Sequence, residues 1–236
     1  GDAIQSYLMN YYLHFDSECV KRTIRQLRGK DPVTSHVNTI VDYTFFWFIS
    51  IDDYYLYTGD TDFLREVYPK MTTLMDFVLP RLDDQHLAAG RPGDWIFVDW
   101  VDFPMHKRGA LCFEQLLFYW SLEAMLKITA VLYQHTDDEE EKEQLNDNFF
   151  RYKLICDILP DKIRKLFFDK EKGAFLHAIE DGKLNPQVTR FPNMFAIIYG
   201  FATSEEAKTI LTNVLLSQEV PPITTPYMRF YELEAL

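Results

Sequence analysis

From Phe113 the apolar residues Phe113, Leu117, Trp120, Ala124, Ile128 and Val131 advance in steps of three and four, which is the mark of one helix face. Leu116, Tyr119, Leu122 and Met125 make the other faces apolar as well. A helix with no side to give to water has to be surrounded by other helices. A second pattern is one-sided: after Thr203 and Glu206, which have capping-box spacing, Ala207, Ile210, Leu211, Val214 and Leu215 form a single stripe. Inner helices that are apolar all round, alternating with outer ones that are not, predict an all-α fold of two concentric layers, an (α/α)6 toroid or a related double-layered array.

Further helical segments are predicted near residues 3–28, 38–58, 62–80, 161–168, 192–200 and 226–236, and Thr136 with Glu139 repeats the capping-box spacing at another start. Pro69 has no amide to donate and is expected to start or kink a helix. The one strand signal is Gly173 to Leu184, where an apolar stretch meets Asp181-Gly182 and predicts a short hairpin insertion. No strict repeat and no Pro/Gly/Ser-rich linker divides the 236 residues, so residues 1–236 are read as one domain.

Hydrophobic residues make up 47% of the chain and aromatics 16%, enough for a large core with rings left over for a cleft. The formal charge of −12, with no Lys/Arg cluster along a predicted face, argues against binding a phosphate backbone and leaves a neutral or cationic ligand. Cys19, Cys112 and Cys156 are odd in number and widely spaced, so they read as small core residues and not as a disulfide framework or zinc site. Neither a leader peptide nor a membrane-spanning run is visible, but the chain opens on Gly1 and stops at Leu236 within a helical pattern. Its ends therefore read as cuts in a longer protein, and its compartment stays open.

Chemistry concentrates in Arg91 to Asp102, RPGDWIFVDWVD, where three carboxylates and two tryptophans lie among loop-forming residues just before the buried helix. An aromatic ring covers the apolar C–H face of a pyranose, while Asp94, Asp99 or Asp102 can accept hydrogen bonds from hydroxyls or handle a proton. The same residues would also suit a plug at the end of a helical core. Asp2, at the entry to the first helix, favours the helix dipole by ~0.3–1 kcal/mol whatever else it does. Asp42, ahead of Phe45, Phe46, Trp47 and Phe48, is either a cap or a cleft residue. Arg190 and the segment Thr224 to Tyr227 place polar groups at helix mouths.

Asp52-Asp53 has no second acidic cluster to complete a metal site, and Asp137 to Glu141 fits the first turn of a solvated helix. The six histidines show no paired-ligand spacing, although His106 lies beside the acidic aromatic loop. Serine elbows, P-loops and dinucleotide fingerprints are missing, so no metal and no cofactor is called for. What remains is carboxylate chemistry with aromatic stacking.

Five segments together resemble the bacterial α-L-rhamnosidases, inverting glycoside hydrolases built on an (α/α)6 toroid: GDAIQSYLMNYYLHFD at the start, VDYTFFWFISIDDYYLYTGD at 41–60, PGDWIFVDWVDF at 92–103, TRFPNMFAIIYG at 189–200 and TTPYMRFYELEAL at the end. The resemblance implies that Asp2 is the aspartate of the family's Trp-x-Gly-Asp motif in the sugar site, that Trp47, Asp94 and Trp95 stack on or hold rhamnose, and that Asp42, Trp100 and Arg190 also contact substrate. The family's general-acid and general-base glutamates match nothing between Gly1 and Leu236. The chain is thus expected to be the middle of a catalytic domain, inactive by itself, with a rhamnoside as substrate and the remaining domains of its parent as partners. Nucleic acid and membrane are not expected partners. Other toroid glycosidases or phosphorylases, of the glucosidase and trehalase kind, and a carbohydrate-binding helical module without chemistry are the competing readings.

Overall fold

The computed structural model describes residues 1–236 as nine α-helices and four short strands. The helices are α1 (Asp2–Leu13), α2 (Ser17–Arg28), α3 (Val41–Thr58), α4 (Thr61–Val78), α5 (Cys112–Gln134), α6 (Glu139–Phe167), α7 (Arg190–Ile198), α8 (Ser204–Ile210) and α9 (Pro226–Ala235). The strands are β1 (Ala110–Leu111), β2 (Phe168–Asp169), β3 (Ala174–Glu180) and β4 (Lys183–Val188).

Two layers account for this order. The odd-numbered helices α1, α3, α5, α7 and α9 pack side by side in chain order, and α2, α4 and α6 cover them from outside. The sequence explains the division. α3 buries eleven of its eighteen residues, including the run Phe45 to Ile51, and α5 buries fourteen of twenty-three. α6, by contrast, buries only Leu145, Tyr152, Cys156, Leu159, Ile163 and Phe167 of its twenty-nine, a single stripe at helical spacing. By length and composition α5 could cross a bilayer, but here its apolar faces are taken up by α3, α4, α6 and α7. The α/α toroid architecture follows from this alternation.

Several boundaries differ from those predicted. Residues 3–28 form two helices, because Phe15 takes a positive φ and Asp16 then caps α2 by accepting the Cys19 amide at 3.0 Å. The cap of α6 is Asp138, which accepts from the Glu140 and Glu141 amides, while the Thr136 hydroxyl turns to the Glu141 carboxylate; the expected Thr136/Glu139 box is absent. Nor is 161–168 a separate helix, since α6 runs through Pro160, as α4 runs through Pro69. Each proline removes one amide from the ladder, and the apolar stripe on both sides, Leu64 to Tyr68 and Met71 to Met75 in α4, keeps the helix going. The box at Thr203 forms as read: the Glu206 amide reaches its hydroxyl at 3.3 Å and the Thr203 amide reaches the Glu206 carboxylate at 2.8 Å.

The hairpin forms around Asp181 and Gly182, both at positive φ as a two-residue turn requires, with Glu180 facing Lys183. It is more than an insertion. β3 is the hub of a four-stranded sheet that pairs with β1 at the entry to α5 and with β2 at the exit of α6. Asn193 of α7 holds β3 from the other side, accepting the Phe175 amide and donating to the Phe175 carbonyl, each at 2.9 Å. Of the cysteines only Cys112 and Cys156 are buried; Cys19 is exposed on α2, on the wet side of that helix, and none is disulfide-bonded.

Candidate functional site

Asp2, Asp42 and Glu114 each lie in the first turn of an inner helix, α1, α3 and α5, and Arg190 and Tyr227 open α7 and α9. One segment lies across this end: the loop from Arg91 to Lys107. It begins as extended backbone, with Trp95 bridged to Ile40 just before α3, where the Val41 amide donates to the Trp95 carbonyl and the Trp95 amide to the Thr39 carbonyl, both at 3.0 Å. It then turns sharply at Val98, a β-branched residue at φ 54°.

Buried side chains hold the turn. Asp42, fully enclosed, accepts the Val98 amide at 2.5 Å. The Lys107 ammonium donates to the carbonyls of Phe97 at 2.5 Å and Asp99 at 2.8 Å and lies 5.6 Å from the Phe97 ring. Asp99 accepts its neighbour Trp100's amide and, at 2.6 Å, the hydroxyl of Thr225, the cap of α9. Burial pushes the Asp42 carboxyl up to about 6, against the pull of the Val98 amide, and pushes Asp99 up and Lys107 down.

The clasp presents a cluster of rings. Phe97 is buried and touches four aromatic neighbours: it meets Trp95 at 5.6 Å, Trp100 at 5.3 Å and Tyr43 at 5.8 Å edge to face, and stacks on Tyr227 at 6.4 Å. Trp95 and Trp100 are 46% and 68% exposed, with their planes at 69° and centroids 6.3 Å apart. They form an open corner with apolar walls. Beyond Phe97, the Tyr43 hydroxyl donates to Asp2 Oδ2 at 2.8 Å, and Asp2 Oδ1 has no hydrogen-bond partner. Burial and that bond to Asp2 raise the Tyr43 phenol above its usual range, so it remains a donor.

Of the residues singled out from sequence, Trp95 and Trp100 meet at the accessible surface, and Asp2, also exposed, is linked to them through Tyr43 and Phe97. The other four are placed differently. Trp47 is 3% exposed, packs edge to face on Phe48 and donates its indole N–H to the Ile24 carbonyl at 3.0 Å. It edges a cavity of about 230 Å3 beside Asp2 and offers no open ring face. Arg190 is buried, donating to Glu232 at 2.6 Å and to the carbonyls of Ser217 and Val220, so its charge is used inside the protein. Asp42 is the clasp just described. Asp94 accepts from Arg81 at 2.5 Å and from the Arg91 amide at 2.8 Å, which staples the loop to the end of α4. Trp47 and Asp94 spend their polar atoms on the fold, whereas Asp42 Oδ1 and Arg190 Nε stay buried without a partner.

Other candidates resolve locally. Asp52 pairs with Lys127 at 2.9 Å, and His106 faces Glu180 at 3.1 Å. Phe97 and Lys107, which organise the corner, carry no signal in sequence: an interior phenylalanine and a loop lysine are common residues. Glu114 is equally silent, sitting in an apolar run, yet it is fully buried with both carboxylate oxygens unpartnered. Burial, with Asp42 and Asp94 nearby, raises its carboxyl well above the usual range.

Comparison with known proteins agrees with this architecture. The chain superposes over its whole length on the GH78 family rhamnosidase of Bacillus sp. GL1, with a TM-score of 0.82 and 23% identity, covering 24% of that chain. It also superposes in full on the rhamnosidase from Klebsiella oxytoca with rhamnose bound, with a TM-score of 0.75 and 16% identity, covering 44% of that chain. The chain thus spans less than half the length of either protein, and at these identities the likeness is one of fold. No curated protein matches it by sequence. The sequence profile of the bacterial alpha-L-rhamnosidase 6 hairpin glycosidase domain matches residues 27–175, which include α3, α4, the aromatic loop and α5, and the chain belongs to that family.

Proposed function

We propose that this chain forms one wall of the sugar cleft of an inverting α-L-rhamnosidase, with Trp95 and Trp100 gripping the apolar surface of a terminal rhamnose and Asp2 accepting hydrogen bonds from its hydroxyls. The observation that carries this is the open tryptophan corner on a loop pinned from beneath, joined through Phe97 and Tyr43 to an accessible carboxylate. A 6-deoxy sugar presents a methyl group and C–H faces to such a corner and hydroxyls to such a carboxylate. Family membership supports the reading. A phosphorylase needs a basic phosphate pocket, and Arg190, at the mouth of α7, is spent on Glu232.

In inverting hydrolysis one carboxylic acid protonates the departing glycosidic oxygen while a second carboxylate, ~6.5–9.5 Å away, takes a proton from the water attacking the opposite face. Asp2 is assigned to neither task. With Oδ2 held by Tyr43, its free Oδ1 orients the sugar between those two groups. The full-length protein incubated with an aryl α-L-rhamnoside is expected to release β-rhamnose first, followed by proton NMR of the anomeric signal. First release of α-rhamnose, or rhamnose binding without any release, overturns the proposal.

Two substitutions test the wall itself. Trp100→Ala is expected to weaken rhamnose binding about tenfold, or ~1.4 kcal/mol, through loss of a stacked face. Asp2→Asn is expected to lower kcat/KM by about 10–100-fold, the worth of a charged hydrogen bond. Titration calorimetry and steady-state kinetics read these effects, and wild-type values in both variants remove the corner from the site.

A further inference from the structure

We infer that the outer face of α6 is a self-association surface, on which a second copy of this chain seats its own α6 antiparallel across a twofold axis. The inference concerns a face away from the cleft and does not rest on the proposed function. α6 carries two apolar stripes. One, from Leu145 to Phe167, is buried against α5 and the sheet. The other, Phe150, Leu154 and Ile158, lies on the opposite side of the helix and is 60%, 70% and 37% exposed. Its four-residue spacing sets the three side chains in one row. An outer helix ordinarily turns a polar face to water, so a ridge of this kind is surface that a partner would stabilise by covering it.

The charges on the same face say which partner. Asp147 and Arg151 lie at the N-terminal end of the ridge and Asp161 and Lys165 at its C-terminal end, all four exposed. Their signs alternate along the helix. Two copies laid antiparallel about a point midway between Leu154 and Ile158 bring Asp147 opposite Lys165 and Arg151 opposite Asp161, each pair twice, and set Leu154 of one copy against Ile158 of the other. A parallel pairing would set every charge against its like. Self-complementarity is what a twofold interface requires, whereas a face built for a different partner is under no such constraint. The groups are also free to pair: Asp147, Asp161 and Lys165 make no ion pair within their own chain, and Arg151 meets only Asp76, at 2.5 Å. Antiparallel helices oppose their macrodipoles as well, which adds in the same direction.

The seam from Asp147 to Lys165 is ~27 Å long and one helix, ~10 Å, wide. It covers less than the ~800 Å2 per partner of a standard interface, so the dimer is a reversible one with a dissociation constant in the micromolar range.

Sedimentation equilibrium of the full-length protein across that range is expected to show monomers in exchange with dimers. Leu154→Glu places a charge at the centre of the seam and is expected to weaken association about tenfold or more, with Tm unchanged because the side chain touches little of its own chain. Asp147→Lys sets like charges against each other at both ends and is expected to weaken association about fivefold; Asp147→Lys combined with Lys165→Asp restores both pairs and is expected to return it to within about twofold of wild type. A monomer at every concentration, a dimer indifferent to Leu154→Glu, or a double variant no better than the single one overturns the inference. So does a monomer whose Tm falls in Leu154→Glu, the result if another domain of the same chain covers the ridge.

Discussion

Arg190→Met is expected to destabilise the fold by about 3–5 kcal/mol, the range for breaking a buried ion pair by removing one partner. The guanidinium holds Glu232 of α9 at 2.6 Å and also caps the carbonyls of Ser217 and Val220 in the loop that leads back to the inner layer. Methionine fills the volume and supplies none of the donors. Glu232, 1% exposed, would be left with Arg229, which reaches it from the half-exposed side of the same helix. Adding Glu232→Met removes the stranded charge and is expected to recover most of the loss, since a well-packed apolar pair replaces a buried ion pair at little cost. Urea denaturation at unchanged m-value measures both. If the single variant loses less than about 1 kcal/mol but fails to turn over a rhamnoside, Arg190 belongs to the cleft after all.

The second large effect has the opposite sign. Glu114→Gln is expected to stabilise the protein, and increasingly so as the pH rises. Because burial raises the Glu114 carboxyl well above its usual range, the folded state favours the protonated form. Its contribution is present in full below the unfolded pKa of ~4.3 and is lost as pH climbs towards the raised folded value. Across that window the wild type loses about 1.4 kcal/mol per pH unit relative to the glutamine variant, which has no proton to release. The two proteins are therefore expected to melt together near pH 4 and to separate progressively as the pH rises above it. Buried His36 and His177, both lowered to about 4, weaken the fold on the acid side but do so in both proteins and cancel in the difference. A gain that is the same at pH 4 and pH 8 rules out a protonated Glu114.

What could be read in the sequence, and what could not, follows from the range of each interaction. α3 and α5 announce themselves because all-round apolarity is a property of consecutive residues, and the hairpin turn because Asp181-Gly182 supplies positive φ locally. The break between α1 and α2 was signalled only by Asp16, whose capping role emerges once Phe15 has turned the chain. The site is harder. Tryptophans and aspartates in one loop point to a cleft, but which rings stay open depends on Phe97 filling the space behind them and on Lys107 and Asp42 pulling the backbone inward. Those contacts join residues 97 and 227, or 42 and 98, and nothing local records them. Trp47 and Arg190 show the same limit in reverse: residue types that suit a cleft are taken up by the carbonyl of Ile24 and the carboxylate of Glu232.

The four-stranded sheet also bears on how the chain assembles. Successive inner helices meet across an intervening outer helix, so that the Ser121 hydroxyl of α5 reaches the Phe45 carbonyl of α3 over 76 residues, and contacts of such range slow folding. β3 adds a closure of similar range. It closes on Leu111 at one edge and on Phe168 at the other, and the first of these pairings spans the whole of α5 and α6. Loop-closure entropy has to be overcome before that pairing gains anything, so the α5–α6 pair forms first and the sheet afterwards, as a latch. The turn at Asp181-Gly182, the tip of this latch, is then set only once the helices beneath it are in place.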